Sequence, residues 1–185
     1  MRNTKAVARE RATLDLIEKA ESNEFYRGLA DIFSDLRRGP GFSHLHNPQD
    51  ADTKAKRRAV ADYLNHYELV SIGILEGILD EAIYRAWMEG AFLRDWNAAA
   101  RFIQRERWKK KDDGSWYYYR HHYEHYQVLV DSWSKDAISI DQLYSAPPED
   151  DQGPGADPIP VSEGAVAEGE PESHSQHSGS DPTPP

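Results

Sequence analysis

Val60–Trp108, whose central part from Tyr63 to Arg107 reads YLNHYELVSIGILEGILDEAIYRAWMEGAFLRDWNAAARFIQRER, decides the fold. Apolar residues recur in it at spacings of three and four almost without interruption. That is the period of a helix and not of a strand. Polar side chains, Asn65, Glu68, Arg94 and Arg107 among them, stand inside or beside the apolar stripes.

Reading outward, the stripe Ala55, Ala59, Tyr63, Tyr67, Val70 and Ile74 predicts one helix ending near Leu75, with Asn47-Pro48 as its start signal or an irregular beginning near Asp52. Gly77 closes it, and Asp80 caps the next helix. Gly90 stands between two strong patterns and predicts a break or kink. Upstream, helices are expected over Thr4–Glu21 and Glu24–Arg37, the second with Phe25, Leu29, Ile32, Phe33 and Leu36 on one side and Gly39-Pro40-Gly41 after it. Downstream, Lys109–Gly114 reads as a charged turn and Ser115–Lys135 as the last helix. No stretch alternates with period two. The fold class is all-α, an irregular bundle of five to seven helices.

The chain divides in composition at residue 144. Residues 145–185 hold nine acidic residues, no Lys or Arg, no aromatic and nine of the eleven prolines. Such a segment buries too little apolar surface to offset its ordering entropy, so a disordered acidic tail is expected there. The chain's net charge of −10 belongs almost entirely to that tail. Residues 1–144 form the expected helical domain and are nearly neutral, which makes general nucleic-acid binding unlikely. Cysteine is absent, so disulfides and thiolate-bound zinc are excluded. The opening MRNTKAVARERATLDL is charged throughout and lacks a signal-peptide core, and no apolar run is long enough to span a bilayer. A cytoplasmic protein is expected.

Three constellations carry chemistry. Asn65 and Glu68 lie one helical turn apart among apolar neighbours, and a part-buried carboxylate needs a cation or several donors. Arg94 and Arg107 are the expected partners in a structural polar network, and a general acid/base role for Glu68 is the alternative. His121, His122 and His125 form a metal candidate, because His121 and His125 would share a helical face, with His66 or His44 completing the set. Lys109, Lys110, Lys111, Trp116 and Arg120 interleave cations with rings, as single-strand nucleic-acid binders do. A second basic cluster is Lys54, Lys56, Arg57 and Arg58. No P-loop, nucleophile elbow or dinucleotide glycine pattern occurs, and no cofactor is implied.

The segment LNHYELVSIGILEGILDEAIYRAWMEG followed by FLRDWNAAARFIQRER resembles the bacterial and phage-associated helical family catalogued as domain of unknown function 4760. RATLDLIEKAESNEFYRGLADIFSDLRR and HHYEHYQVLVDSW fit the same pattern, so the resemblance covers roughly Ala8–Lys135. Its markers are Leu64-Asn65, Glu68, Gly73, Asp80-Glu81, Arg94, Trp96 and Arg107. Many relatives carry an N-terminal membrane helix, and this chain departs in lacking one. The resemblance implies a fold and no established activity. Together these readings point to a non-enzymatic protein-interaction module with an unidentified protein partner, in a bacterial or phage-linked accessory role. The alternatives are a metal-binding protein or enzyme at the final-helix histidines, and a single-strand binder at Trp108–Arg120. Exposed aromatics on the last helix would also suit a homodimer.

Overall fold

The computed structural model describes residues 4–143 and Pro147. The expected tail, 145–185, lies otherwise outside the described residues. Among those described, six α-helices, one 3-10 turn and one two-stranded hairpin follow one another.

Helix α1 (Thr4–Ser22) buries only Thr13 and leaves Val7 and Leu14 exposed. It is held by polar contacts: Thr13 Oγ1 accepts from the Asp80 amide at 2.7 Å, and Arg9 Nε lies 3.1 Å from Asp80 Oδ2. Helix α2 (Glu24–Arg38) starts at Asn23, whose side chain accepts from the Phe25 amide, and buries Leu29, Phe33 and Leu36. A 3-10 turn (Ser43–Leu45) then drops Leu45 and the preceding Phe42 into the core.

Helix α3 (Ala51–Leu75) begins beside Asp52, the later of the two expected starts, and not at Pro48. Asp50 is the cap, accepting from the Thr53 amide at 2.8 Å and from its hydroxyl. Val60, Leu64, Tyr67, Val70 and Ile74 are its buried face. Its end is a Schellman motif. The Ile78 amide donates to the Gly73 carbonyl and the Gly77 amide to Ile74, with Gly77 at φ +66°. Helix α4 (Glu81–Arg107) is capped by Asp80, as expected.

The break expected at Gly90 is absent: α4 runs unbroken for 27 residues. Gly90 is exposed, and tertiary packing of Tyr84, Phe92 and Trp96 on either side holds the helix through it. A second correction concerns Lys109–Gly114. It is the tip of a β-hairpin, β1 (Trp108–Lys110) paired antiparallel with β2 (Trp116–Tyr118). Strands of three residues are too short for a period-two pattern to show. The last long helix therefore starts late, as α5 (Glu124–Trp133), and a short α6 (Ile140–Leu143) follows.

The core is aromatic. Tyr67, Phe92, Trp96, Tyr126 and Trp133 meet with ring centroids 4.4–5.1 Å apart, mostly tilted or edge to face. Each buried ring contributes about 2 kcal/mol of transfer free energy. Their polar atoms are satisfied. Tyr126 Oη donates to the Phe92 carbonyl, Trp96 Nε1 to Ile138, and Trp133 Nε1 to Glu81.

A Cβ built on Gly90 meets nothing within 4 Å. Gly90→Ala is therefore expected to stabilise the protein by about 0.5–1 kcal/mol through the unfolded chain's lost freedom. Thermal or urea unfolding followed by circular dichroism reads this, and a lower midpoint would mean that the glycine serves a bend.

Candidate functional site

Two buried polar clusters and one basic surface carry the chemistry. The first is built on Glu68, whose side chain is 17% exposed. Its Oε1 accepts from the His125 amide at 3.2 Å and lies 2.7 Å from His125 Nδ1, while Oε2 accepts from the Tyr126 amide at 2.8 Å. These amides belong to the first turn of α5, whose own N-cap, Tyr123, sits at φ 59° and makes no side-chain cap. Glu68 thus caps a helix from another element, placing its negative charge at the positive end of the helix dipole.

The expected network of Asn65, Glu68, Arg94 and Arg107 does not assemble. Asn65 is exposed, and Arg94 turns to its neighbour Asp95. Arg107 is fully buried at the end of α4, where Nε donates to the His122 carbonyl at 3.0 Å and Nη2 to Gln127 at 2.8 Å. Asp141 Oδ1 stands 3.8 Å from its Nη1. The two arginines are taken by these other partners. Backbone amides of α5, and not arginines, answer Glu68.

The residue that sequence reasoning missed is Asp95, 2% exposed. Tyr63 Oη donates to its Oδ2 at 2.9 Å and Tyr67 Oη at 3.3 Å. Arg94 Nε lies 3.0 Å and Arg37 Nε 3.6 Å from Oδ1. Burial, with the Asp95 carboxylate adding to it, pushes both phenols well up, and neighbouring tyrosines add to the rise at Tyr67. They stay protonated through neutral pH and act as donors. A carboxylate so fully engaged is a register pin between α2, α3 and α4. The signal was in the chain: Asp95 stands three residues after Phe92 and four before Ala99, inside the apolar stripe of α4.

The three histidines are dispersed. His121 and His122 precede α5, so His121 does not share a helical face with His125, and the geometric premise of the metal reading is lost. His121 pairs with Glu124, His125 pairs with Glu68, and the His122 ring packs on Tyr123 with centroids 4.2 Å apart. Burial, then the Lys109 charge, lowers the His122 pKa. Among the described residues no three His, Asp or Glu are grouped to hold a metal ion.

The basic segment folds as the hairpin, with its tip turned by Gly114 at φ 83° and by Asp113 Oδ1, which accepts from the Ser115 amide and hydroxyl. The register pairs Lys109 with Tyr117 and Lys110 with Trp116. Arg105 and Lys110 stand over the Trp116 ring at 5.8 and 5.6 Å, and Lys111 over Tyr117 at 5.9 Å. Arg120 reaches toward Asp141 at 3.9 Å. The second basic cluster is spread over α3. Arg57 binds Glu106 at 2.7 Å and Lys56 binds Asp52 at 2.7 Å.

A family model described as Domain of unknown function (DUF4760) matches residues 1–133. The chain belongs to this family. The DUF4760 match ends at Trp133, the last residue of α5, so Glu68, Asp95, the hairpin and the α5 N-terminus all lie within it. No curated protein and no solved structure matches the chain. No helix of the described residues is long and apolar enough to cross a membrane.

Glu68→Gln keeps the size but loses the charge that the α5 amides and His125 face. It is expected to cost about 1–2 kcal/mol in urea unfolding at pH 7. An unchanged midpoint would remove Glu68 as the cap. A second expectation concerns pH. Burial against Tyr26, at 4.8 Å between centroids, lowers the His66 pKa below its ordinary value. The unfolded chain then binds the proton first, so stability attributable to His66 is lost as pH falls below about 6.5. His66→Gln should lose less melting temperature than the parent between pH 7.5 and 5.5, and equal losses would refute it.

Proposed function

We propose that this DUF4760 protein is a non-catalytic protein-interaction module. The carrying observation is an apolar, aromatic patch on α2 and α3. Phe25 is 61% and Leu69 65% exposed, the largest exposures among the big hydrophobic side chains described, together with Ile78 at 61%. Phe25 and Leu69 are linked: the Phe25 ring meets Tyr26 at 5.8 Å, Tyr26 meets His66 at 4.8 Å, and His66 lies one helical turn before Leu69. Exposed apolar residues scattered singly are ordinary, whereas contiguous ones mark surfaces that another molecule covers. The polar clusters support the same reading. Glu68, Asp95 and Arg107 spend their hydrogen bonds on holding helices together, which suits a rigid platform. The partner fitting this patch is a protein offering a complementary apolar helix or loop, with another copy of the chain as one form of it.

A photo-crosslinking amino acid at Leu69, in full-length protein expressed in its native cell, tests the proposal. Arg58, with a side chain 85% exposed, serves as the control position. The expected result is a discrete adduct from position 69, absent from position 58 and lost on adding Phe25→Ser. An adduct of twice the chain mass identifies the homodimer. Equal smears from both positions, or no adduct at 69, would overturn the module.

A further inference from the structure

We propose that one face of the β-hairpin binds single-stranded nucleic acid, with Tyr117 and Tyr119 as stacking platforms and Lys109 and Lys111 as the phosphate contacts. Strand alternation sorts the hairpin into two faces. On one, Trp108 packs on Tyr118 with centroids 5.1 Å apart, and Trp116 lies under Arg105 and Lys110. Those three rings are half-buried. On the other face, Lys109 stands directly across from Tyr117, and Lys111 follows two residues on, its ammonium 5.9 Å from the Tyr117 ring. The Tyr119 amide donates to the Arg107 carbonyl, so the ladder continues and brings Tyr119 to the same side as Tyr117.

The outcome is a row of cations beside a row of rings. Tyr117 is 43% and Tyr119 45% exposed; the ladder fixes the Tyr117 backbone, the amide bond to Arg107 holds that of Tyr119, and the Tyr119 ring meets His121 edge-on at 5.8 Å. Two strand residues span about 6.6 Å, so successive rings can take successive bases while the adjoining ammonium groups meet the phosphates between them. A near-neutral body rules out binding by bulk charge, and this geometry does not need it. Of the carboxylates nearby, Asp113 binds Ser115, and Glu106 takes two hydrogen bonds from Arg57 while standing 3.9 Å from Lys109 Nζ, a loose pair that a phosphate can replace. Acidic polypeptide would satisfy the lysines but would leave the tyrosine faces without purpose, and this favours nucleic acid.

Fluorescence anisotropy of full-length protein with a labelled twelve-nucleotide thymidine strand, at 20 mM and higher salt, tests the inference. Poly-glutamate serves as the acidic-polypeptide competitor. The expected result is saturable binding with a log–log salt slope of about −1.4 for two lysine contacts. Tyr117→Thr with Tyr119→Thr should weaken it by roughly tenfold or more per ring, at unchanged helical content. Lys111→Ala, an exposed change that spares the ladder, should reduce the slope by about 0.7. No binding at 20 mM salt overturns the proposal. So does binding that poly-glutamate displaces equally well and that the tyrosine variant leaves intact, which would assign the face to an acidic protein.

Discussion

Glu68 closes the bundle: its two carboxylate oxygens take the His125 and Tyr126 amides, so the helix that supplies Tyr126 and Trp133 to the core starts only where α3 presents that side chain. The chain entering α5 leaves a hairpin and a turn with Tyr123 in the left-handed region, and it brings no capping side chain of its own. Without an acceptor, the orphan amides of the first turn would sit part-buried and unpaired. The acceptor comes from a residue 57 positions earlier. Local helix propensity over 115–135 is thereby overruled, and the first residues of that stretch are free to pair as β2.

Arg107 anchors the other side of the same junction. It ends α4, lies wholly inside the protein, and bonds the His122 carbonyl and the Gln127 side chain. The turn before α5 is therefore held from both flanking helices, by a carboxylate on the helix amides and a guanidinium on the turn. Asp95 performs the equivalent task for α2, α3 and α4 through two phenols and two guanidinium groups. Buried charges cost several kcal/mol each to desolvate, and here hydrogen bonds and opposite charges offset that cost. Such groups fix which helix meets which, and at what register, while the aromatic core supplies most of the burial.

This rigid interior leaves two surfaces of different character. The Phe25–Leu69 patch is apolar and carried on helices, whereas the hairpin is basic and carried on strands. Neither required the other to form. The DUF4760 match spans the residues of both.

The helical class, the cap at Asp80 and the stop at Gly77 were legible in the sequence, because each depends on a residue's own backbone preference or on neighbours within one turn. Glu68 and Arg107 were legible as polar residues in apolar stripes, but their partners were not, since the contacts are made across 57 and 20 positions. Asp95 was legible only as a carboxylate at a core-facing spacing. The unbroken run of α4 through Gly90, the hairpin at Trp108–Tyr118 and the separation of His121 from His125 were decided by tertiary structure alone. Packing on both sides of a glycine outweighs its local cost, and a three-residue strand exists only where its partner is. A helix begins where its amides find an acceptor, and for α5 that acceptor is on another helix.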